Sequence, residues 1–150
     1  MELTRLRTFL HHNRRLALDT SVFIYQLEAH PRYAIVTDHI FAWLERPGHY
    51  AVTSTITMTE LLVQPYRDSG EHRVNEFYAL LSTYPNLEWI APDLQIADIA
   101  ARLRAKHRLR TPDALQAATA IQAQATGLIT NDAAFQRVDP FETFLLDHLL

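Results

Sequence analysis

LEWIAPDLQIADIAARLRAKHRLRTPDALQAATAIQAQATGLITND, residues 87–132, is the stretch whose reading decides the fold. It opens on a short strand-like run, NLEWIAP when its flanks are included. DLQIADIAARLRAKH then follows a helical period with Asp93 placed to cap its start. TPDALQAATAIQAQATG is the clearest helix, with Thr111 expected as N-cap, Pro112 at the first helical position and Gly127 at the end. LIT reads as the next strand.

The same alternation extends outward in both directions. Upstream, HYAVTST is a β-branched and aromatic strand followed by ITMTELLVQPY, a helix expected to turn Met58, Leu61 and Leu62 inward. Residues 71–83 repeat the helical pattern through Val74, Phe77, Tyr78 and Leu81. Earlier still, Leu16–Leu18 forms a short strand ending at Asp19. SVFIYQLEA resumes a helix that Pro31 breaks, and a further helix runs from Tyr33 to Leu44 before the Pro47-Gly48 turn signal. Residues 1–12 read as an extra helix through Leu3, Leu6 and Leu10, and ETFLL offers a fifth strand. Strands alternating with helices predict right-handed crossovers and a parallel sheet covered on both faces. Ligands of such sheets bind beyond the carboxyl ends of the strands.

A chain of 150 residues, 48% hydrophobic and 21% charged, suits one soluble domain over 1–150. It has no cysteine, which excludes disulfides and thiolate zinc sites. No apolar run approaches the roughly 18 residues of a membrane span. The opening MELTRLRTFLHHNRRL lacks the apolar core of a signal peptide, so a cytoplasmic location is expected. The net charge of −3 argues against a surface coated in basic residues, though not against local contact with nucleic acid.

Four acids fall where this topology aims them at one edge: Asp19 and Asp132 closing strands, Glu60 and Asp113 early in helices. Singly, each has an ordinary explanation as a cap, a first-turn acid or a solvated helix residue. Together they would repel unless a cation joined them. Mg2+ or Mn2+ fits oxygen donors, and its waters can supply the attacking hydroxide while the ion neutralises a phosphate. Thr20, Ser21 and Asn131 stand beside these acids and are expected to orient them.

Arg102, Arg104, Lys106, Arg108 and Arg110 precede the Asp113 helix. Of these, Arg104, Lys106, Arg108 and Arg110 are candidates for holding the phosphates that flank a scissile bond, and Arg14 and Arg15 are weaker ones. The alternative for the run is a solvated helix end. Eight histidines lack the spacing of a zinc site, and with three glycines there is no Walker loop or nucleophile elbow. Tyr25, Tyr33, Phe41 and Trp43 lie on helical segments and read as core or interface.

LALDTSVFIY, the TELL segment around Glu60, Asp113-Ala114, Thr130-Asn131-Asp132 and Phe135 together resemble the PIN-domain ribonucleases. The likeness is strongest to the toxin subunit of bacterial VapBC toxin–antitoxin pairs and spans residues 16–136. The resemblance implies a three-layer α/β/α domain with a central parallel sheet of four to five strands. It further implies an endoribonuclease dependent on Mg2+ or Mn2+, with Asp19, Glu60, Asp113 and Asp132 as metal-binding, catalytic acids. It also implies a homodimer and an antitoxin partner whose tail lies across the active-site groove. Residues 1–15 depart from the family, which commonly begins near the first strand.

Two other classes of function compete. A non-catalytic module that binds RNA or protein would keep the fold without the chemistry, but the presence of all four acids speaks against it. A phosphoryl-transfer enzyme with an aspartyl nucleophile commonly needs a second Asp two residues after the first, where this chain has Ser21. A receiver-type protein needs a further acid near the first strand, and RRLALDT supplies none.

Overall fold

The structure, a computed structural model, describes residues 3–68 and 70–149. Five strands, β1 (Arg15–Leu18), β2 (Tyr50–Ser54), β3 (Leu87–Ile90), β4 (Gly127–Thr130) and β5 (Glu142–Leu145), pair in parallel in the order β3-β2-β1-β4-β5. Among the described residues seven α-helices cover them: α1 (Thr4–His12), α2 (Thr20–Leu27), α3 (Ala34–Leu44), α4 (Thr55–Asp68), α5 (Glu71–Ser82), α6 (Leu94–His107) and α7 (Thr111–Gln122). Short 3-10 helices follow β4 (Ala133–Arg137) and β5 (Leu146–Leu149). This is the α/β/α sandwich expected from the alternation. The expected N-terminal helix is present from Thr4; residues 1 and 2 of that prediction lie outside the described residues.

The pleat divides the core in two. Leu16 and Leu18 of β1 point with Ile129 of β4 into a cluster with α1, α2 and α3, where Phe23, Ile40 and Leu44 are fully buried. Ala17 and Leu128 point the other way, beneath α6 and α7. On that side Ala114, Ala117, Ala118 and Ala120 give α7 an almost flat inner face, so the helix lies close on the sheet. β1 and β4 are buried on both faces, which is why their sequences read as apolar runs without alternation.

The clearest predicted helix has different ends from those expected. Arg110 occupies the cap position of α7 without a side-chain capping bond, Thr111 is already helical, and the helix stops at Gln122. Gln124 takes the left-handed turn that follows, at φ 59°. Gly127 instead opens β4, where a Cβ would lie 2.7 Å from Phe9 Cζ and 2.8 Å from Asn13 Cγ. That glycine admits the close approach of α1; it does not end a helix. Two inward faces also differ. α4 buries Thr57, Leu61 and Pro65, with Met58 and Leu62 only partly covered, and Tyr78 of α5 is 54% exposed. Asp93 caps α6 as predicted, accepting from the Ile96 N–H at 2.8 Å.

Candidate active site

β1 is the strand at which the chain order reverses, with β2 and β3 on one side and β4 and β5 on the other. The crevice beyond such a reversal is where open parallel sheets take ligands. Asp19 follows β1 directly, and Asn131 and Asp132 follow β4. Glu60 stands in the second turn of α4, which begins as β2 ends, and Asp113 stands in the first turn of α7.

Asp19 holds the cap position of α2, yet its side chain makes no cap hydrogen bond. Its carboxylate instead accepts from the Thr130 hydroxyl at 2.7 Å. Burial is the main force on this group and pushes its pKa from 3.8 up to about 6. The charges of Asp113 and Glu60 push the same way, against the Thr130 hydroxyl and the backbone of Thr20. Among the described residues no cationic side chain pairs with it. Thr130, fully buried, also accepts from the Asp132 N–H at 3.0 Å, so one hydroxyl ties the ends of β1 and β4 together.

Glu60 accepts from the Thr20 hydroxyl at 2.7 Å. Behind that bond lies a buried polar ladder whose direction follows from one proton per hydroxyl. Thr53 donates to the Leu18 carbonyl at 2.8 Å, so Thr57, 2.7 Å from Thr53, must donate to it. The Gln116 amide donates to Thr57 at 2.5 Å and Thr20 at 3.3 Å, while its carbonyl accepts from the Ser54 N–H at 3.4 Å. The one Thr20 proton then has two acceptors within reach, Thr57 at 3.2 Å and Glu60 at 2.7 Å, and the closer, charged carboxylate takes it. No buried side-chain polar atom among the described residues lacks a partner.

The remaining expected residues fall into place unevenly. Asp113, whose side chain is 15% exposed, takes one bond from Arg110 Nε at 3.3 Å. Asp132 caps the 3-10 helix after it, accepting from the Ala134 N–H at 2.9 Å. Ser21 accepts from the Asn131 N–H at 3.2 Å. The Asn131 amide donates to the Tyr25 hydroxyl at 3.2 Å, and its carbonyl accepts from the Asp147 N–H at 2.9 Å. Ser21 and Asn131 thus shape the loop that carries Asp132, whereas Thr20 touches an acid itself. In the basic run, Arg104 donates to the Leu109 carbonyl at 3.0 Å, Arg108 forms the left-handed cap of α6, and Arg102 pairs with Asp98. Lys106 is exposed. Arg110 is the member of that run bonded to a site acid.

The structure therefore brings Asp19, Glu60 and Asp113 into one electrostatic neighbourhood and joins Asp132 to it through Thr130. Among the described residues no three carboxylate or imidazole groups are gathered tightly enough to cage an ion. An open arrangement still suits a hard cation that keeps several waters and takes one or two carboxylates directly. The buried, cation-free Asp19 is the group whose surroundings such a charge would relieve.

Sequence reasoning did not single out Thr57, Gln116 or the Thr130 hydroxyl as members of the site. A signal for two of them existed. Thr57 lies three residues before Glu60 and Gln116 three after Asp113, on the same helical faces as the acids.

The PIN domain family model matches residues 16–140. Among solved structures, VapBC-1 from nontypeable Haemophilus influenzae superposes with a TM-score of 0.69 at 22% identity, covering 89% of this chain and 98% of that one. VapBC2 from Rickettsia felis, bound to a fragment of promoter DNA, gives 0.67 at 19% identity over 87% of this chain and 98% of the other. A toxin–antitoxin complex from Klebsiella pneumoniae gives 0.59 at 26% identity over 85% and 98%. No match is found among curated proteins.

Proposed function

The chain belongs to the PIN domain family, and from that premise we propose that it is a metal-dependent endoribonuclease, the toxin of a toxin–antitoxin pair. The observation that carries the reading is Asp19: a buried carboxylate facing two further acids, with no cationic partner among the described residues. Burying a charge in that way is unfavourable unless a counter-charge arrives. Asp19, Glu60, Asp113 and Asp132 are the residues that would hold Mg2+ or Mn2+. Such an ion supplies activation of water and neutralisation of phosphate charge.

The chain's own groups do the rest. Thr130 fixes the Asp19 carboxylate by donating its hydroxyl proton to it. The Gln116–Thr20 ladder sets the Thr20 proton on Glu60 and keeps that side chain turned to the crevice. Arg110, 78% exposed and bonded to Asp113 through one nitrogen only, can turn its guanidinium to a phosphate beside the scissile bond. Arg104, Lys106 and Arg108 form the wider basic margin of the same approach.

The partner in this proposal is an antitoxin, in keeping with the toxin–antitoxin complex from Klebsiella. A groove of about 350 Å³ lined by Ile24, Leu27, Leu61, Pro65 and Phe77 reaches Glu60 and would seat the apolar side of an antitoxin tail. We further read residues 1–150 as one domain that acts as a cytoplasmic homodimer. No helix among the described residues is long and apolar enough to cross a membrane.

The test is cleavage of total RNA with Mg2+, Mn2+ or EDTA, comparing wild type with Asp113→Asn. Metal-dependent cutting that the variant loses supports the reading. Cutting that survives in the variant removes the site. No cutting by folded, metal-supplied, partner-free protein favours a module that binds RNA or protein without cleaving it.

A further inference from the structure

The opposite end of the sheet carries a second charged feature. A groove of about 750 Å³ lies between α1 and the turn that leads from α3 into β2. Arg7, Arg14 and Arg46 line it together with His11, His39 and His49. Among the described residues no aspartate, glutamate, asparagine, glutamine, serine or threonine does. Among the described residues none of the three arginines makes an ion pair, and each is exposed. The carboxylates beside His39 and Arg46 are turned elsewhere: Asp38 accepts from Gln26, and Glu45 lies against Tyr84.

Helix ends explain only part of this. Arg14 and Arg46 follow the C-termini of α1 and α3, where a cation offsets about half a charge per helix. Arg7 lies in the first turn of α1, at the far end of that dipole. Three guanidiniums therefore exceed what two helix ends compensate. The walls are also built. Leu6 and Leu10 anchor α1 in the core, and the His49 ring stacks on Trp43 at 4.2 Å with Nδ1 on the Trp43 carbonyl at 2.5 Å.

We propose that this groove binds the phosphodiester backbone of single-stranded RNA, away from the point of cleavage. An extended peptide would need acceptors for its N–H groups, and among the described lining side chains only the three imidazoles can accept. A phosphate backbone needs only donors and positive charge, with arginine matching phosphate oxygens two at a time. RNA is preferred among phosphate polymers because the inference rests on the ribonuclease reading. Arg14 and Asp19 flank β1 at its two ends, about 17 Å apart at the rise of an extended chain, so a strand held here must pass round the domain to reach the acids. The groove would thus favour long RNA over short.

The experiment measures anisotropy of a fluorescein-labelled 20-nucleotide RNA in EDTA, where metal-dependent cutting is blocked. Wild type is compared with the triple variant Arg7→Ala/Arg14→Ala/Arg46→Ala and with the matching triple Lys variant. The expected result is about a tenfold weaker Kd for the alanine variant. Its salt dependence should be shallower by about two, at roughly 0.7 per phosphate contact for single strands. The Lys variant should keep the wild-type salt slope, which a merely structural role for arginine would not predict. Unchanged affinity and slope in the folded alanine variant would overturn the proposal. So would unchanged RNA binding with loss of poly-glutamate binding, which would assign the groove to an acidic protein. Cleavage of a five-nucleotide RNA, scored separately, should be unchanged in the alanine variant. If wild type cuts nothing while the anisotropy difference stands, the ribonuclease reading fails and the groove does not.

Discussion

The two ends of one parallel sheet carry opposite chemistry. At the carboxyl end, Asp19, Glu60 and Asp113 share a field, and among the described residues Asp19 has no cationic partner. At the amino end, three arginines and three histidines line a groove with no acid among the described residues. The overall charge of −3 averages these and reveals neither. Topology makes the division: in a parallel sheet every strand enters at one end and leaves at the other, so residues just before strands and just after them gather on opposite edges. Arg14 and Asp19 are five positions apart in sequence and lie at opposite ends of β1.

The contrast breaks first at the acidic end. Asp113→Asn should lower metal-dependent RNA cleavage at least about a hundredfold, the upper range for groups that merely support metal ligands. Folding, followed by circular dichroism, should be unaffected. Steady-state rates on a purified RNA check this, and a loss below threefold would exclude Asp113 from the site.

Asp19→Asn should separate activity from stability. Because the folded pKa of Asp19 lies above its ordinary value, the folded state holds the proton more tightly than the unfolded chain. The associated stability is fully present below about pH 4 and is lost as pH rises through about 6. At pH 8 without metal the variant should therefore be about 3 kcal/mol more stable than wild type, from a shift of roughly two units at 1.36 kcal/mol each. Urea unfolding at pH 8 and at pH 4 measures this, and the gain should shrink towards zero at the lower pH. A variant that is less stable at pH 8 would contradict the reading of Asp19 as an uncompensated charge.

The basic end has a more direct weakness. Gly127→Ala puts a Cβ into Phe9 and Asn13, neighbours within α1 and at its end, and should cost about 1–3 kcal/mol by overpacking. It should loosen the helix that walls the groove while leaving the acids in place. Thermal unfolding and RNA anisotropy should both change, with cleavage of a short RNA retained below the melting temperature. The smallest effect expected is at Tyr33, which donates a short hydrogen bond to Asp147 and stacks on Tyr25 at 4.3 Å. Tyr33→Phe should cost about 1 kcal/mol, the worth of one partly buried bond. Its effect on cleavage should pass only through the Asn131 loop that Asp147 and Tyr25 both touch.

The sequence was most legible where local rules and tertiary demands agree. LAL and LIT sit between turn residues and are strands; Asp93 precedes an amphipathic run and caps it. It was least legible where a residue serves a distant neighbour. Gly127 looks like a helix terminator, and its actual constraint is a phenyl ring more than a hundred positions away. Gln116 looks like one polar residue on a helix, and it is 3% exposed because Thr20 and Thr57 receive it.

The amino-acid sequence by itself determined the parallel α/β sandwich, through hydrophobic period and turn chemistry, and it determined which four acids stand at strand exits or helix starts. Only the tertiary structure decided how those acids differ. Asp132 spends its carboxylate on a cap and Asp113 shares a bond with Arg110. Asp19, at a cap position, is left buried and without a cationic side-chain partner among the described residues. Burial, solvation and the direction of each hydroxyl proton depend on which strands lie side by side, and β4 lies beside β1 although β2 and β3 stand between them in sequence.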